Sequence, residues 1–202
     1  LTGGVSDAAV AYASTTGTAT SGRDAIAAQD GDAALTVTDA ATVAQANSVA
    51  TATTGTVQFS GGITDSTTNL MNGDSSAIST GLSTAKTDDS DVVITANTAV
   101  TVAQFNLLDA ATSSAIVLSG GISDTAANLA PSGTASSGLT NSTSQDGDVA
   151  ITITGTAPTV DELNKVASLT TGAVTASISG NKTTLAGLTT ASDDAVTVTV
   201  TD

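Results

Sequence analysis

The stretch "TVQFSGGITDSTTNL", residues 56–70, compresses the chain's plan into one line: a β-branched run, a Gly-Gly pair, an acid, and a Leu one helical turn later. It returns as "AIVLSGGISDTAANL" at 115–129, in part as "GGVSDAAVAY" at 3–12, and in a shorter form as "VTASISGNKTTL" at 174–185. Gly3, Gly61 and Gly120 lie 58 and 59 residues apart. Two further phrases keep the same period. "QDGDAALTVTD" from Gln29, "TDDSDVVITAN" from Thr87 and "QDGDVAITITG" from Gln145 form one set; "TVAQANSV" from Thr42, "TVAQFNLL" from Thr101 and "TVDELNKV" from Thr159 form the other. A fixed period of this length is the mark of a repeat architecture.

Each period divides into two similar halves. In the first, Leu35 and Val37, Ile94 and Ala96, and Ile151 and Ile153 alternate with polar residues, the period-two pattern of a strand. Thr42, Thr101 and Thr159 follow, with Gln45, Gln104 and Glu162 three residues later, the capping-box spacing of a helix start. In the second half the strand-like runs are "TVQFSGGI", "AIVLSGGI" and "VTASISG". Asp7, Asp65 and Asp124 then stand as N-cap candidates. Tyr12, Leu70, Leu129 and Leu185 form a core column one turn on. Gly-Gly lets the backbone bend or bulge between strand and turn.

The spacings from Ile151 to Val174 and from Val174 to Val196 are nearly equal, which favours one coil per half and all strands in one parallel sheet. The sequence therefore predicts a repeat solenoid: a parallel, β-helix-like solenoid of about eight strands, with short helices or helical turns on one side. Its repeat of about 58 residues holds two strand-plus-helix coils. A single larger coil of 58 residues is the other option. The expected organisation is one elongated body over 1–202 with units at about 1–28 (partial), 29–86, 87–144 and 145–202. The chain opens inside one unit and stops in another, so a window on a longer array is expected. The Ser/Thr/Gly-rich stretches 14–28, 72–87 and 131–144 read as loops or an extra short side.

Composition narrows function. Nineteen acids face four bases, for a net charge of −15, which argues against nucleic acid and anionic membrane surfaces. Aromatics are 1 % of residues, and Tyr12, Phe59 and Phe105 fall at apolar positions that suit a core. No stretch has the roughly 18 uninterrupted apolar residues of a membrane span. His and Cys are absent, which removes the usual nucleophiles and general bases, so no enzyme is expected. Acids gather before each first-half strand: Asp30 and Asp32, Asp89 and Asp91, Asp146 and Asp148, Asp193 and Asp194. Stacked corners would set these carboxylates in a column that calcium, a hard oxygen-seeking cation, would relieve; solvated acidic turns are the plainer alternative, and no cofactor is certain. T-x-T pairs at Thr36/Thr38, Thr152/Thr154 and Thr199/Thr201 raise ice binding, but Asn97 breaks the ladder.

The phrases "SDTAANL" (123–129) and "TVAQFNLLDAAT" (101–112) resemble repeats of very large Asp/Thr/Ala-rich surface proteins of cyanobacteria and other aquatic bacteria. The resemblance implies an exported, structural role and brings no catalytic residues. The expectation is an extracellular or cell-surface structural repeat protein that forms a fibre, surface layer or adhesin stalk. It would self-associate head to tail or laterally, with glycans as candidate partners. The alternative is a calcium-dependent adhesive module, or one that binds ice or glycans.

Overall fold

The computed structural model describes residues 3–73 and 75–201. It is an α/β arrangement of small parallel sheets interleaved with helices. The chain falls into two compact units, Leu1–Asn97 with Leu107–Val117, and Thr98–Asn106 with Leu118–Asp202.

The first unit holds two three-stranded sheets. One runs β1 (Val5–Asp7), β2 (Leu35–Val37), β3 (Val57–Phe59); the other runs β4 (Ile63–Asp65), β5 (Ile94–Ala96), β6 (Ile116–Val117). The second unit holds one four-stranded sheet in the order β10 (Ala195–Val200), β9 (Val174–Gly180), β8 (Ile151–Thr154), β7 (Ile122–Thr125). Every pairing within these sheets is parallel. The register repeats: Val5 faces Leu35, Ile63 faces Ile94, Ile122 faces Ile151 and Ile178 faces Val198. On the other edge, Leu35 faces Val57, Ile94 faces Ile116 and Ile151 faces Val174.

This overturns the predicted β-solenoid with one continuous sheet. The strands form three separate sheets, and the Gly-Gly pair is the reason. "TVQFSGGI" was expected as one run, but β3 ends at Phe59 and β4 opens a new sheet at Ile63. Between them the Gly62 N–H donates to Phe59 O at 2.8 Å, closing a four-residue turn, and Gly62 has φ +76°. A glycine in the fourth position of a tight turn takes that left-handed conformation without steric cost. Gly61 is held as tightly, because a Cβ there would lie 2.1 Å from Asp39 C. The short copy shows the converse. "VTASISG" lacks the pair and is two residues shorter between Val174 and Ile178 than between Val57 and Ile63. Here the strand runs straight through as β9, and its sheet gains a fourth strand.

The helices fall into three kinds. Capped eight-residue helices follow the first-half strands: α3 (Val43–Ala50), α6 (Val102–Asp109) and α9 (Val160–Ala167). Single turns α1 (Ala9–Tyr12), α4 (Thr67–Leu70), α7 (Ala126–Leu129) and α10 (Lys182–Leu185) each end on a column residue. Tyr12, Leu70 and Leu129 are buried, while Leu185 is half-buried. The third kind occupies the stretches read as loops: nine-residue helices α2 (Ser21–Gln29), α5 (Thr80–Asp88) and α8 (Ser137–Gln145). Their N-cap hydroxyls, on Thr20, Ser79 and Ser136, accept from the N–H of Arg23, Leu82 and Leu139. Leu82 and Leu139 are fully buried, so α5 and α8 belong to the core, whereas α2 has Arg23 at that position and buries no residue.

Candidate functional site

The polar residues that the sequence singles out occupy three recurring positions. The first is the helix start. Thr42 Oγ1 accepts from Gln45 N at 3.2 Å while Gln45 Oε1 accepts from Thr42 N at 3.0 Å. Thr101 with Gln104 and Thr159 with Glu162 make the same reciprocal pair. The Thr159 N–H beside Glu162 draws that carboxyl below its ordinary range. Asp161 and Glu162 in the first turn and Lys165 in the last complement the dipole of α9.

The second position corrects the expected role of Asp7, Asp65 and Asp124. The N-caps of α1, α4 and α7 are Ala8, Ser66 and Thr125, and none of these side chains caps. The aspartates stand one residue earlier. Asp65 Oδ2 accepts from the N–H of Val43, the first residue of α3, at 3.0 Å. Its Oδ1 accepts from Ser66 N at 2.8 Å and Asn69 Nδ2 at 2.7 Å. Asp124 repeats the set with Val102 N, Thr125 N and Asn128 Nδ2. Both carboxylates are buried, and charge-assisted bonds to three donors stand in for water. Each one thus ties a single helical turn to the start of a helix more than twenty residues earlier. Asp7 is exposed and accepts from Ala8 N at 2.8 Å, while Ala9 N donates to Asp39 Oδ1 at 2.6 Å. In the short copy Gly180 takes the aspartate's place and Thr184 the asparagine's.

The third position is the acidic corner. Asp89 is buried, and its Oδ2 accepts from Phe59 N at 2.7 Å. Asp146 Oδ2 accepts from Leu118 N at 2.7 Å. Asp194 accepts from Val174 N at 2.9 Å and Ala191 N at 2.8 Å. Asp30 ends α2 and its carbonyl accepts from Ala33 N. Asp32, Asp91, Asp148 and Asp193 are exposed. Burial pushes the Asp89 and Asp146 carboxyls up, against the pull of the Phe59 and Leu118 N–H groups, and the neighbouring Asp91 and Asp148 add to the rise. The corners therefore hold acids in pairs. Among the described residues no group of three or more His, Cys, Asp or Glu is placed to hold a metal ion.

A fourth set of residues was not read from the sequence. Thr53 Oγ1 donates to Ala33 O at 2.7 Å and accepts from Gly55 N at 2.9 Å, while Thr54 N donates to Gly31 O at 2.8 Å. Thr112 and Ser113 make the same clamp on Val92 O and Ser90 O, and Thr170 and Thr171 on Val149 O and Gly147 O. The signal was present as "TTGTV", "TSSAI" and "TTGAV" leading into β3, β6 and β9. Threonine's ordinary preference for strands and loops hid it.

Chemically, the arrangement satisfies its buried polar side chains internally. Among the described residues no buried side-chain nitrogen or oxygen lacks a hydrogen-bond partner. A groove of about 460 Å³ beside Thr42, Asn47, Asp65 and Asn69 is lined by these same groups. Among the described residues no helix is long and apolar enough to cross a membrane. No protein-family model matches the chain, and no curated protein or solved structure is significantly similar to it.

Proposed function

We propose that this chain is a non-enzymatic structural repeat of the cell exterior, a segment of a fibre, surface layer or adhesin stalk that works by self-association. The observation that carries the reading is the use of its polar side chains. Asp65, Asp124, Asp89 and Asp146, the capping threonines and the Thr53-type clamps all bind the chain's own backbone at matching repeat positions. Such a network serves the reproduction of one geometry along the chain. Surface Thr and Ser are the contact groups toward other copies and toward glycans.

The calcium-dependent, ice- or glycan-binding alternative keeps one observation, the paired carboxylates Asp89/Asp91 and Asp146/Asp148. Thermal melts followed by circular dichroism, in calcium and then in excess chelator, separate the two. The structural reading expects superimposable melts, because backbone N–H groups already satisfy the buried carboxylates. A large fall in melting temperature on chelation would replace it with a calcium-stiffened adhesive module.

A further inference from the structure

The loop between α4 and α5 carries a phrase that its counterparts in the other copies lack. It reads "MNGDSSAI" over 71–78, and of the chain's nine asparagines Asn72 is the one that precedes a glycine. The frame of the loop is shared with the first copy. Asn72 N donates to Ala77 O as Ser14 N does to Thr18 O, and Ser75 N donates to Asn72 O as Gly17 N does to Ser14 O. Met71 bridges Ile78 as Ala13 bridges Ala19. Ser14 Oγ accepts from Thr18 N at 3.1 Å where Asn72 Oδ1 accepts from Ala77 N at 3.2 Å. In the third copy Pro131 stands at this position. The frame therefore closes on a serine as well as on an asparagine. What Asn72 adds is a side-chain amide beside a glycine.

That amide is held as a reacting group would be. Its Oδ1 accepts from Ser76 N at 2.9 Å as well as from Ala77 N, so two backbone donors face the oxygen on which negative charge develops when Cγ is attacked. Its Nδ2 donates to Ser76 Oγ at 3.3 Å, which sets a hydroxyl beside the nitrogen that would leave. Gly73 is exposed, and a Cβ built on it meets nothing within 4 Å, so its backbone nitrogen is open on the side away from Asn72. We propose that Asn72–Gly73 is a self-modifying site, converted to aspartate and isoaspartate without an enzyme. The Gly73 nitrogen attacks Asn72 Cγ and gives its proton to solvent. The Cγ–Nδ2 bond breaks, ammonia leaves with a proton relayed through Ser76 Oγ, and a succinimide ring closes. Water then opens the ring at Cγ, leaving an aspartate, or at the main-chain carbonyl carbon, leaving an isoaspartate whose chain runs through the side chain. Nothing is oxidised or reduced, and water is the one co-reactant. The cradle also retains the aspartate product, because Ser76 N and Ala77 N then make charge-assisted bonds to a carboxylate. The chain already uses Asp65 in this way.

The test incubates the full folded chain at neutral pH beside a synthetic peptide, LMNGDSSAIS, with the sequence of residues 70–79. Peptide mapping, with fragmentation that separates aspartate from isoaspartate, follows every asparagine over time. Conversion is expected at Asn72, at least as fast in the folded chain as in the peptide, while the other eight asparagines stay intact. Gly73→Ala has room for its Cβ in the fold but crowds the attacking nitrogen, and is expected to slow conversion by at least about tenfold. Ser76→Ala is expected to slow it about threefold by removing the hydroxyl at the leaving nitrogen. Asn72→Ser, which copies Ser14, is expected to melt as the parent chain does, so that the asparagine is dispensable to the fold. Slower conversion in the folded chain than in the peptide overturns the proposal, because the loop then shields the amide. So does conversion spread over the other asparagines, or equal rates for the parent chain and Gly73→Ala. Equal rates for the parent chain and Ser76→Ala overturn the part assigned to the hydroxyl.

Discussion

Replacing Asp65 with Ala isolates the link between a single helical turn and a distant helix start. The substitution leaves three donors without their acceptor: Val43 N, Ser66 N and Asn69 Nδ2. Asn69 is exposed and Ser66 half-buried, so water reaches those groups, but Val43 is buried at the start of α3. An unsatisfied buried donor costs about 1–3 kcal/mol, and hydrogen bonds to a charged group contribute about 1.5–3 kcal/mol. The expected loss is therefore about 3 kcal/mol, or a fall in melting temperature of roughly 6–12 °C for a chain of this length. Asp7→Ala is the internal control. That aspartate is exposed and serves Ala8 N, so the loss should stay below about 1 kcal/mol. Urea unfolding followed by circular dichroism measures both, and a cycle with Asn69→Ala tests whether the two side chains act as one unit. Equal effects of Asp65→Ala and Asp7→Ala would refute the reasoning.

Other perturbations probe the remaining features. Gly61→Ala sets a Cβ 2.1 Å from Asp39 C and should cost more than about 4 kcal/mol, whereas Gly73→Ala has open space and should be near neutral by the same melt. Leu82→Ala in α5 should cost about 2–5 kcal/mol if this helix is core, as full burial indicates. Thr53→Val removes a clamp that both donates and accepts and should cost about 1–2 kcal/mol, with Thr53→Ser restoring most of it. Asp88, Asp89 and Asp146 hold their protons more tightly folded than unfolded, with burial the leading cause. The stability they contribute is full below the ordinary carboxylate range and is lost as pH rises through their raised folded values. Melting temperature should therefore rise as pH falls from neutrality toward that range, with Glu162 opposing weakly. Asp89→Asn should raise stability at pH 7 and flatten the profile.

The sequence carried the strand positions, the capped helices and the period plainly, because β-branched alternation and the Thr-x-x-Gln/Glu spacing are local signals. It did not carry the breaks between sheets. Whether "SGGI" bends within a strand or ends one depends on Gly61 meeting the Asp39 backbone, a contact across the fold. The comparison with "VTASISG" held the clue in its two missing residues, but reading it as a shorter coil concealed the missing corner. Helices α2, α5 and α8 escaped notice because "SGLTNSTSQ" has one large apolar residue, Leu139, and weak helix propensity throughout; its packing is decided by tertiary contact. Aspartates before a turn read naturally as N-caps. That Asp65 and Asp124 instead reach across to Val43 and Val102 is foreshadowed only by the Asn four residues on.

The central claim is that this chain associates with itself through its repeat geometry, without a metal. Sedimentation velocity of the purified chain over a hundredfold concentration range in excess chelator, with the same samples imaged by negative-stain electron microscopy, tests it most directly. The account predicts species that grow with concentration and appear as filaments of uniform width. A single monomeric boundary at every concentration, with no filaments, would contradict it.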